Sequence, residues 1–159
     1  MEHKANPRYL AALSFAAERH GAARQARKGT DFPYAVHVIR VAEILHRFDC
    51  AEDVVVAGFL HDTVEDACVT YAELEATFGE RVAALVEKAS EPDKSLPWRV
   101  RKEHTIEHLA TEPDPEALAL VAADKLDNIL SLQETLRADG AEQTWTRFNA
   151  SESEQRWYY

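Results

Sequence analysis

The chain of 159 residues contains only two cysteines, five glycines and six prolines, and these low numbers exclude several classes of protein. Cys50 and Cys68 do not form a CxxC pair and are too few for a disulfide framework, so they fit a reducing cytoplasm. Scarce glycine and proline argue against an all-β chain, which needs many tight turns. No apolar run approaches the roughly 20 residues that cross a bilayer. We therefore expect a cytoplasmic protein without a membrane partner.

The length and the even composition predict one domain over residues 1–159. At about 150 residues, a chain can bury roughly two-thirds of the surface that it exposes when unfolded, so a core forms without disulfides. The sequence has no internal repeat, no linker rich in serine and glycine, and no sharp change of composition.

The charge is distributed unevenly along the chain, and this distribution bears on the partners. The formal net charge is −10, yet residues 1–47 hold eight Lys/Arg and four Asp/Glu, a net +4. Residues 48–159 hold ten basic and 24 acidic residues, a net −14. An acidic chain with a basic N-terminal stretch is compatible with a small anionic ligand, but not with a nucleic acid wrapped over its surface. The sequence leaves a homo-oligomer open.

Apolar residues recur at helical spacing along nearly the whole chain, which predicts an all-α fold. The run Val54–Val56 would also suit a buried strand, but the length and context of its segment favour a helix. Thr70 and Glu73 have the spacing of a capping box at a helix start. The predicted helices cover residues 6–25, 34–48, 53–65, 70–78, 80–89, 98–110, 115–136 and 143–149.

The segment from His61 to Asp66 places an imidazole and three carboxylates directly after an apolar run. On a continuous helix, Asp62 would share a face with Glu65 and Asp66, where like charges repel one another. Partial burial raises this cost further. A bound divalent cation would remove it, so the segment indicates a metal site.

Two further polar residues interrupt apolar helical stretches and are candidate metal ligands. His37 lies in the stretch 34–39, and Asp124 lies in the stretch 120–126. Neutral imidazole and carboxylate are ligands that Mn, Fe, Co, Ni and Zn accept.

Six ordered blocks of sequence are similar to one known family. They are Arg27-Lys28, Pro33-Tyr34-x-x-His37, Val41-Ala42-x-Ile44-Leu45, Gly58-Phe59-Leu60-His61-Asp62-x-Val64-Glu65-Asp66, Phe78-Gly79-x-x-Val82 and Ala123-Asp124-x-Leu126-x-Asn128. Over roughly residues 8–135, the chain resembles the hydrolase domain of the RelA/SpoT alarmone family, within the HD metal-dependent phosphohydrolases. It is most similar to the stand-alone small alarmone hydrolases, because this length has no room for a synthetase domain.

The resemblance implies a compact helical HD-domain bundle that removes pyrophosphate from the 3′ side of (p)ppGpp, an alarmone of the stringent response, to leave GDP or GTP. It implies Mn²⁺, or another divalent transition metal, as the cofactor. The implied metal ligands are His37, His61, Asp62 and Asp124, the implied catalytic pair is Glu65 and Asp66, and the implied substrate-binding residues are Arg24, Arg27, Lys28 and Asn128.

The chain departs from the family pattern in three ways near these residues, one of which is that the block before Pro33 is one residue longer than in the long RelA/SpoT chains. Val38 stands where the family has a proline. Asp127 stands where the family has a histidine, directly before the asparagine that corresponds to Asn128. Two alternatives to an alarmone hydrolase remain open at this point. One is an HD phosphohydrolase of another nucleotide or phosphoester, and the other is a non-catalytic nucleotide-sensing module.

Other basic and aromatic residues have simpler interpretations. Arg24, Arg27 and Lys28 are also what a helix C-terminus favours. The basic group that follows Trp98, namely Arg99, Arg101 and Lys102, is more typical of a solvated helical face than of a phosphate site. We expect the aromatic C-terminus, with Trp157, Tyr158 and Tyr159, to dock on the helical core.

Overall fold

The computed structural model describes residues 4–27, 30–91 and 95–159, and these residues form an all-α fold, as predicted. The helices are α1 (Pro7–Ala22), α2 (Ala35–Arg47), α3 (Glu52–Leu60), α4 (Thr63–Asp66), α5 (Tyr71–Phe78), α6 (Glu80–Ala89), α7 (Trp98–Thr111), α8 (Pro115–Trp145) and α9 (Glu152–Tyr158). In the described part of the chain, the only extended pairing is an isolated antiparallel bridge between Ala26 and Pro33.

Helix α3 is the centre of the fold. Its residues from Val54 to Leu60 are all buried, and α1, α2, α6 and α8 contact it. A helix that is apolar on every side must be surrounded in this way. The prediction of a helix for the valine run is therefore confirmed.

Gly58 allows α3 to approach α2 closely. A Cβ atom at this position would lie 2.7 Å from Cδ1 of Leu45 and 3.3 Å from Cα of Ala42. Both neighbours belong to α2, which carries His37 near its start. The absence of a side chain at Gly58 therefore allows the close separation of α2, which carries His37, and α3, which ends directly before His61.

The prediction of one continuous helix over residues 53–65 is wrong. Helix α3 ends at Leu60, and the short α4 begins at Thr63, so His61 and Asp62 form a turn between them. The Thr63 hydroxyl donates to the Leu60 carbonyl (2.7 Å), which closes this turn. His61 and Asp62 are thereby freed from the regular spacing of a helix.

The ends of two other predicted helices also differ from the structure. Helix α1 ends at Ala22 because Arg24 has a positive φ of 50°, which no α-helix accommodates. Gly140 (φ 78°) breaks α8 into two helical segments, as the sequence predicts, but the first segment continues past Leu136 and the second ends at Trp145 rather than at Asn149.

Helix α9 was not predicted as a helix, although its sequence carries a start signal. Ser151 and Glu154 form a reciprocal capping box. As expected, the aromatic end docks on the other helices: the Trp98 ring lies 5.9 Å from the Tyr158 ring and 6.5 Å from the Trp157 ring. The guanidinium of Arg99 lies over the Trp157 ring. Helix α9 is thereby attached to α7.

Within the described residues, no helix is both long enough and apolar enough to cross a membrane.

The contact at Gly58 gives a test of the fold. We expect Gly58→Val to lower the free energy of unfolding by about 1–3 kcal/mol, because the added atoms overpack the interface between α2 and α3. Gly21→Val is the control, because a Cβ at Gly21 meets nothing within 4 Å. Urea denaturation measures both variants. Equal stability of the two variants would contradict this account.

Candidate functional site

The structure brings two imidazoles and two carboxylates together from three places in the chain. His37 comes from the first turns of α2, His61 and Asp62 from the turn after α3, and Asp124 from the middle of α8. Nε2 of His37 lies 3.2 Å from Oδ1 of Asp124 and 3.6 Å from Oδ2 of Asp62. Nε2 of His61 lies 3.0 Å from Oδ2 of Asp62 and 3.8 Å from Oδ1 of Asp124. Both implied carboxylate ligands thus lie within 3.8 Å of both implied imidazole ligands.

The hydrogen bonds of the imidazoles leave their Nε2 atoms available to a metal. Nδ1 of His61 donates to the Gly58 carbonyl (2.9 Å), and Nδ1 of His37 donates to Oδ2 of Asp127 (2.7 Å). In the neutral form of each ring, Nε2 then carries the lone pair that a metal can bind. Nε2 of His61 is buried and makes no hydrogen bond with any described residue. One ligand atom each from His37, His61 and Asp62 also lie within 4.8 Å of one another. The donor set therefore fits a divalent metal ion.

Opposite charges hold the site together when no metal is bound. Burial alone would lower the pKa of His61, but the Asp62 carboxylate outweighs burial and raises this pKa to about 9. Burial alone would raise the pKa of Asp62, but the His61 imidazolium holds it below its usual range. The Tyr34 hydroxyl donates to Oδ2 of Asp62, and burial raises the pKa of Tyr34. A bound cation would take the place of the imidazolium charge.

Asp124 makes two further contacts within α8. Its Oδ2 pairs with Nζ of Lys125 (2.7 Å), and its Oδ1 accepts from Nδ2 of Asn128 (2.6 Å). Burial opposes the ionised form of Asp124, but Lys125 and the two histidines hold its pKa well below the usual value. Asn128 therefore joins the metal site to the residues that follow it on α8.

Glu65 and Asp66 lie on α4, one helical turn beyond the metal ligands, and they face different spaces. Oε1 of Glu65 accepts from the backbone N–H of Glu91 (2.8 Å), whereas Oδ2 of Asp66 accepts from Nε2 of Gln25 (3.1 Å). Glu65 lines the cavity that adjoins the metal ligands, and Asp66 lines the neighbouring one.

Two adjoining cavities lie beside the metal ligands. The first, the metal-side cavity, has a volume of about 210 Å³ and is lined by His61, Asp62, Glu65, Glu91, Arg101 and Asp124. The second, the aromatic cavity, has a volume of about 340 Å³ and is lined by Gln25, Asp66, Trp98, Phe148, Tyr158 and Tyr159. Tyr34, Lys102, Lys125 and Asn128 line both cavities. An elongated ligand can therefore lie across both.

The sequence interpretation of α7 missed two cations of this site. Lys102 was expected on a solvated face, yet its side chain is only 14% exposed and it pairs with Glu91. Arg101 also pairs with Glu91 (2.5 Å). Helix α7 has no fully buried residue, so the spacing of its apolar residues does not indicate which face meets the site. Lys125 is a third cation of the site, and its position directly after Asp124 in the sequence could have indicated it.

The four implied substrate-binding residues are placed differently by the structure. Asn128 lines both cavities. Arg27 lines the aromatic cavity but is buried, and its side chain bonds to α8 through Asp127 and Ser131. Arg24 is exposed and does not line either cavity. Lys28 lies outside the described residues.

Comparison with known proteins places this site in a family. The HD domain family matches residues 12–150. The chain belongs to the HD domain family. Its histidine–aspartate pair His61-Asp62 is the dipeptide that gives HD domains their name, and it lies at the meeting point of the ligands described above.

Several HD-domain relatives are similar over most of this chain. It is 41% identical to guanosine-3′,5′-bis(diphosphate) 3′-pyrophosphohydrolase MESH1 of Danio rerio and 42% identical to the MESH1 enzyme of Homo sapiens. Each match covers 77% of this chain and 68% of the relative. An Aquifex aeolicus enzyme with the same activity name is 38% identical over 76% of this chain, which spans only 17% of that longer protein.

Two solved structures share the fold of this HD domain. The lmo0812 protein of Listeria monocytogenes is 46% identical, with a TM-score of 0.71 and 77% of each chain covered. A metazoan orthologue of SpoT that hydrolyses ppGpp is 32% identical, with a TM-score of 0.79, and the match covers 99% of this chain and 82% of the other.

The donor set of this HD domain predicts that a divalent metal stabilises the fold. We expect Mn²⁺ in excess to raise the melting temperature of the chelator-treated protein, because the ion binds the folded state preferentially. His61→Ala should abolish most of this shift. His104→Ala removes an exposed imidazole of α7 and should leave the shift unchanged. Differential scanning fluorimetry measures all three, and equal shifts in both variants would contradict the assignment.

Proposed function

We propose that this protein is a manganese-dependent (p)ppGpp hydrolase that releases pyrophosphate from the 3′ position and leaves GDP or GTP. The observation that carries the proposal is the convergence of His37, His61, Asp62 and Asp124 beside a cation-lined cavity. Relatives support the proposal, because this chain is about 40% identical to enzymes named for this reaction. We take residues 1–159 as one HD phosphohydrolase domain.

The two cavities match the two parts of this substrate in chemistry. The aromatic cavity offers rings on which a purine can stack, and it offers the amide of Asn128 for hydrogen bonding. The metal-side cavity has Lys102, Lys125 and Arg101 in its wall, which can balance the charge of a diphosphate. The nucleoside therefore lies beside Tyr158, and the 3′-diphosphate lies toward the metal ligands.

In the proposed reaction, water attacks the phosphorus of the 3′-diphosphate that is bonded to the 3′ oxygen, and this P–O bond breaks. A divalent cation held by the four ligands supplies charge that polarises a phosphoryl oxygen and acidifies water. Glu65, in the wall of the metal-side cavity, accepts the proton of the attacking water. Asp66 faces the nucleoside side, where it donates a proton to the leaving 3′ oxygen, and proton exchange with solvent then returns Glu65 and Asp66 to their starting states. Lys102 and Lys125 hold the pyrophosphate product.

We place this activity in the cytoplasm, where nucleotide alarmones are made and degraded during the stringent response. The two cysteines are free, with no disulfide between them. Mn²⁺ is our choice of metal because a mixed set of two imidazoles and two carboxylates suits it, although this set would also accept other divalent transition metals.

Direct assay of the purified protein tests the reaction. With Mn²⁺, we expect ppGpp to give GDP and pyrophosphate, and Asp66→Asn to lower kcat about 10²–10⁴-fold because an amide cannot carry the proton. The melting-temperature shift with Mn²⁺ should persist in this variant. Asp53→Asn is the matched control, since Asp53 pairs with Arg8 at the start of α3.

The outcomes of this assay separate the proposal from its alternatives. Faster turnover of another nucleotide in a panel would assign a different substrate to the same metal chemistry. Binding of ppGpp without turnover, unchanged by Asp66→Asn, would identify a nucleotide-sensing module instead.

We expect two basic residues, Lys102 and Arg24, to differ in their effect on substrate binding. Lys102→Met should raise KM about tenfold with little change in kcat, because it removes a charge-assisted hydrogen bond to the diphosphate. Arg24→Met should leave both constants within about twofold, because Arg24 is exposed outside both cavities. Steady-state kinetics at saturating Mn²⁺ measures both. A larger effect for Arg24→Met than for Lys102→Met would reverse the assignment.

A further inference from the structure

Asp127 is a carboxylate buried beside the metal ligands, and the reaction described above does not use it. It lies on α8 next to Asn128 and is only 1% exposed. Burying a carboxylate is costly unless it is paired and hydrogen-bonded. A residue that carries this cost without touching the substrate cavities needs another role.

All the close contacts of the Asp127 carboxylate converge on one oxygen. Oδ2 lies 2.7 Å from Nδ1 of His37 and 2.6 Å from Nη2 of Arg27. Oδ1 makes no hydrogen bond within the described residues, and Nη1 of Arg40 lies 3.7 Å from it. One oxygen atom therefore joins a metal-facing imidazole to a buried guanidinium.

The contact with His37 fixes both the tautomer and the direction of the ring. A carboxylate can only accept, so the proton of the imidazole lies on Nδ1. Nε2 then presents its lone pair toward Asp62 and Asp124, at the distances given above. The other imidazole, His61, is oriented by a neutral backbone carbonyl instead, so only His37 is held by a full negative charge.

The contacts of Arg27 attach its guanidinium to α8. Nε donates to Oγ of Ser131 (3.1 Å), and Nη2 donates to the backbone carbonyl of Asp127 (3.3 Å) besides pairing with its carboxylate. Arg27 follows α1 in the chain, so these bonds tie the segment after α1 to α8. The guanidinium balances the charge of Asp127 and holds its Oδ2 against His37.

We propose that Asp127 is the positioning residue of the metal ligand His37, and that Arg27 supports this role through Asp127. This inference rests on the proposed metal site but not on the substrate. Outer partners of metal-binding histidines commonly contribute 10–100-fold to metal affinity, because they orient the ring and increase its basicity.

The test measures Mn²⁺ affinity, without substrate, by the electron paramagnetic resonance signal of free Mn²⁺. We expect Asp127→Asn to weaken Mn²⁺ binding about 10–100-fold. Arg27→Met should weaken it about threefold, and the double variant should be no weaker than Asp127→Asn alone, because both act through one contact. Binding by Asp127→Asn within twofold of the unaltered protein, or additive effects in the double variant, would overturn the proposal.

Asp114→Asn is the matched control on the same helix. Asp114 caps α8 and pairs with Arg81 (2.7 Å) and Lys88 (3.1 Å), about ten residues and 15 Å along the helix from Asp124. Its replacement removes an ion pair with arginine and should lower stability while leaving Mn²⁺ affinity unchanged. If the unaltered protein itself binds no Mn²⁺, the proposed metal site fails; if it binds Mn²⁺ but not ppGpp, only the proposed substrate fails.

A measurement on the unaltered protein keeps the proposal testable if Asp127→Asn does not fold. Zn²⁺ is diamagnetic and serves as the probe metal for long-range ¹H–¹⁵N correlation spectra of the histidine rings. We expect His37 to carry its proton on Nδ1 both with and without Zn²⁺. A proton on Nε2 with Nδ1 free would show that Asp127 does not hold the ring, and the proposal would fail.

Discussion

The burial of Asp62 and Asp124 at the meeting point of α2, α3 and α8 is the constraint on which the rest of the site depends. The two carboxylates are only 19% and 14% exposed, and two negative charges this close repel each other in a medium of low polarity. Each is therefore surrounded by positive or donating groups. Tyr34 and His61 serve Asp62, whereas Lys125 and Asn128 serve Asp124. A divalent cation bound between Asp62 and Asp124 would balance the negative charge of both carboxylates in the same way.

The net charge of −10 is consistent with an anionic substrate once these contacts are considered. The cations that line the cavities are each paired with a protein carboxylate, so the site is close to neutral before a ligand arrives. Binding a metal then makes it positive where the diphosphate would lie. The overall charge repels long polyanions, whereas the local field attracts a short one.

The helical fold was predictable from the sequence because apolar spacing is a local pattern, and the residues that the family resemblance implies as metal ligands are ones that the structure brings together. Apolar spacing marks a helix, and a polar residue such as His37 inside an apolar stretch marks a place where burial needs a reason. The break after Leu60 was not predictable from spacing, because the residues on either side of it also fit a continuous helix, whereas in the structure the Thr63 hydroxyl bonds to the Leu60 carbonyl. The burial of Arg27 was not predictable from local spacing either, because its partner Asp127 lies 100 residues away in the chain.

The pairing of Lys102 with Glu91 has a consequence for how an anion would enter the metal-side cavity. An ammonium group has three donors, and the contact with Glu91 occupies one of them, so Lys102 can bind a phosphate oxygen without leaving its partner. Arg101 pairs with the same carboxylate and likewise keeps donors free. Because Glu91 also donates its backbone N–H to Glu65, the same residue contacts two cations and a second carboxylate of the metal-side cavity. Glu91 thus holds Lys102 and Arg101, the cations proposed to bind the diphosphate, close to Glu65, the proposed proton acceptor.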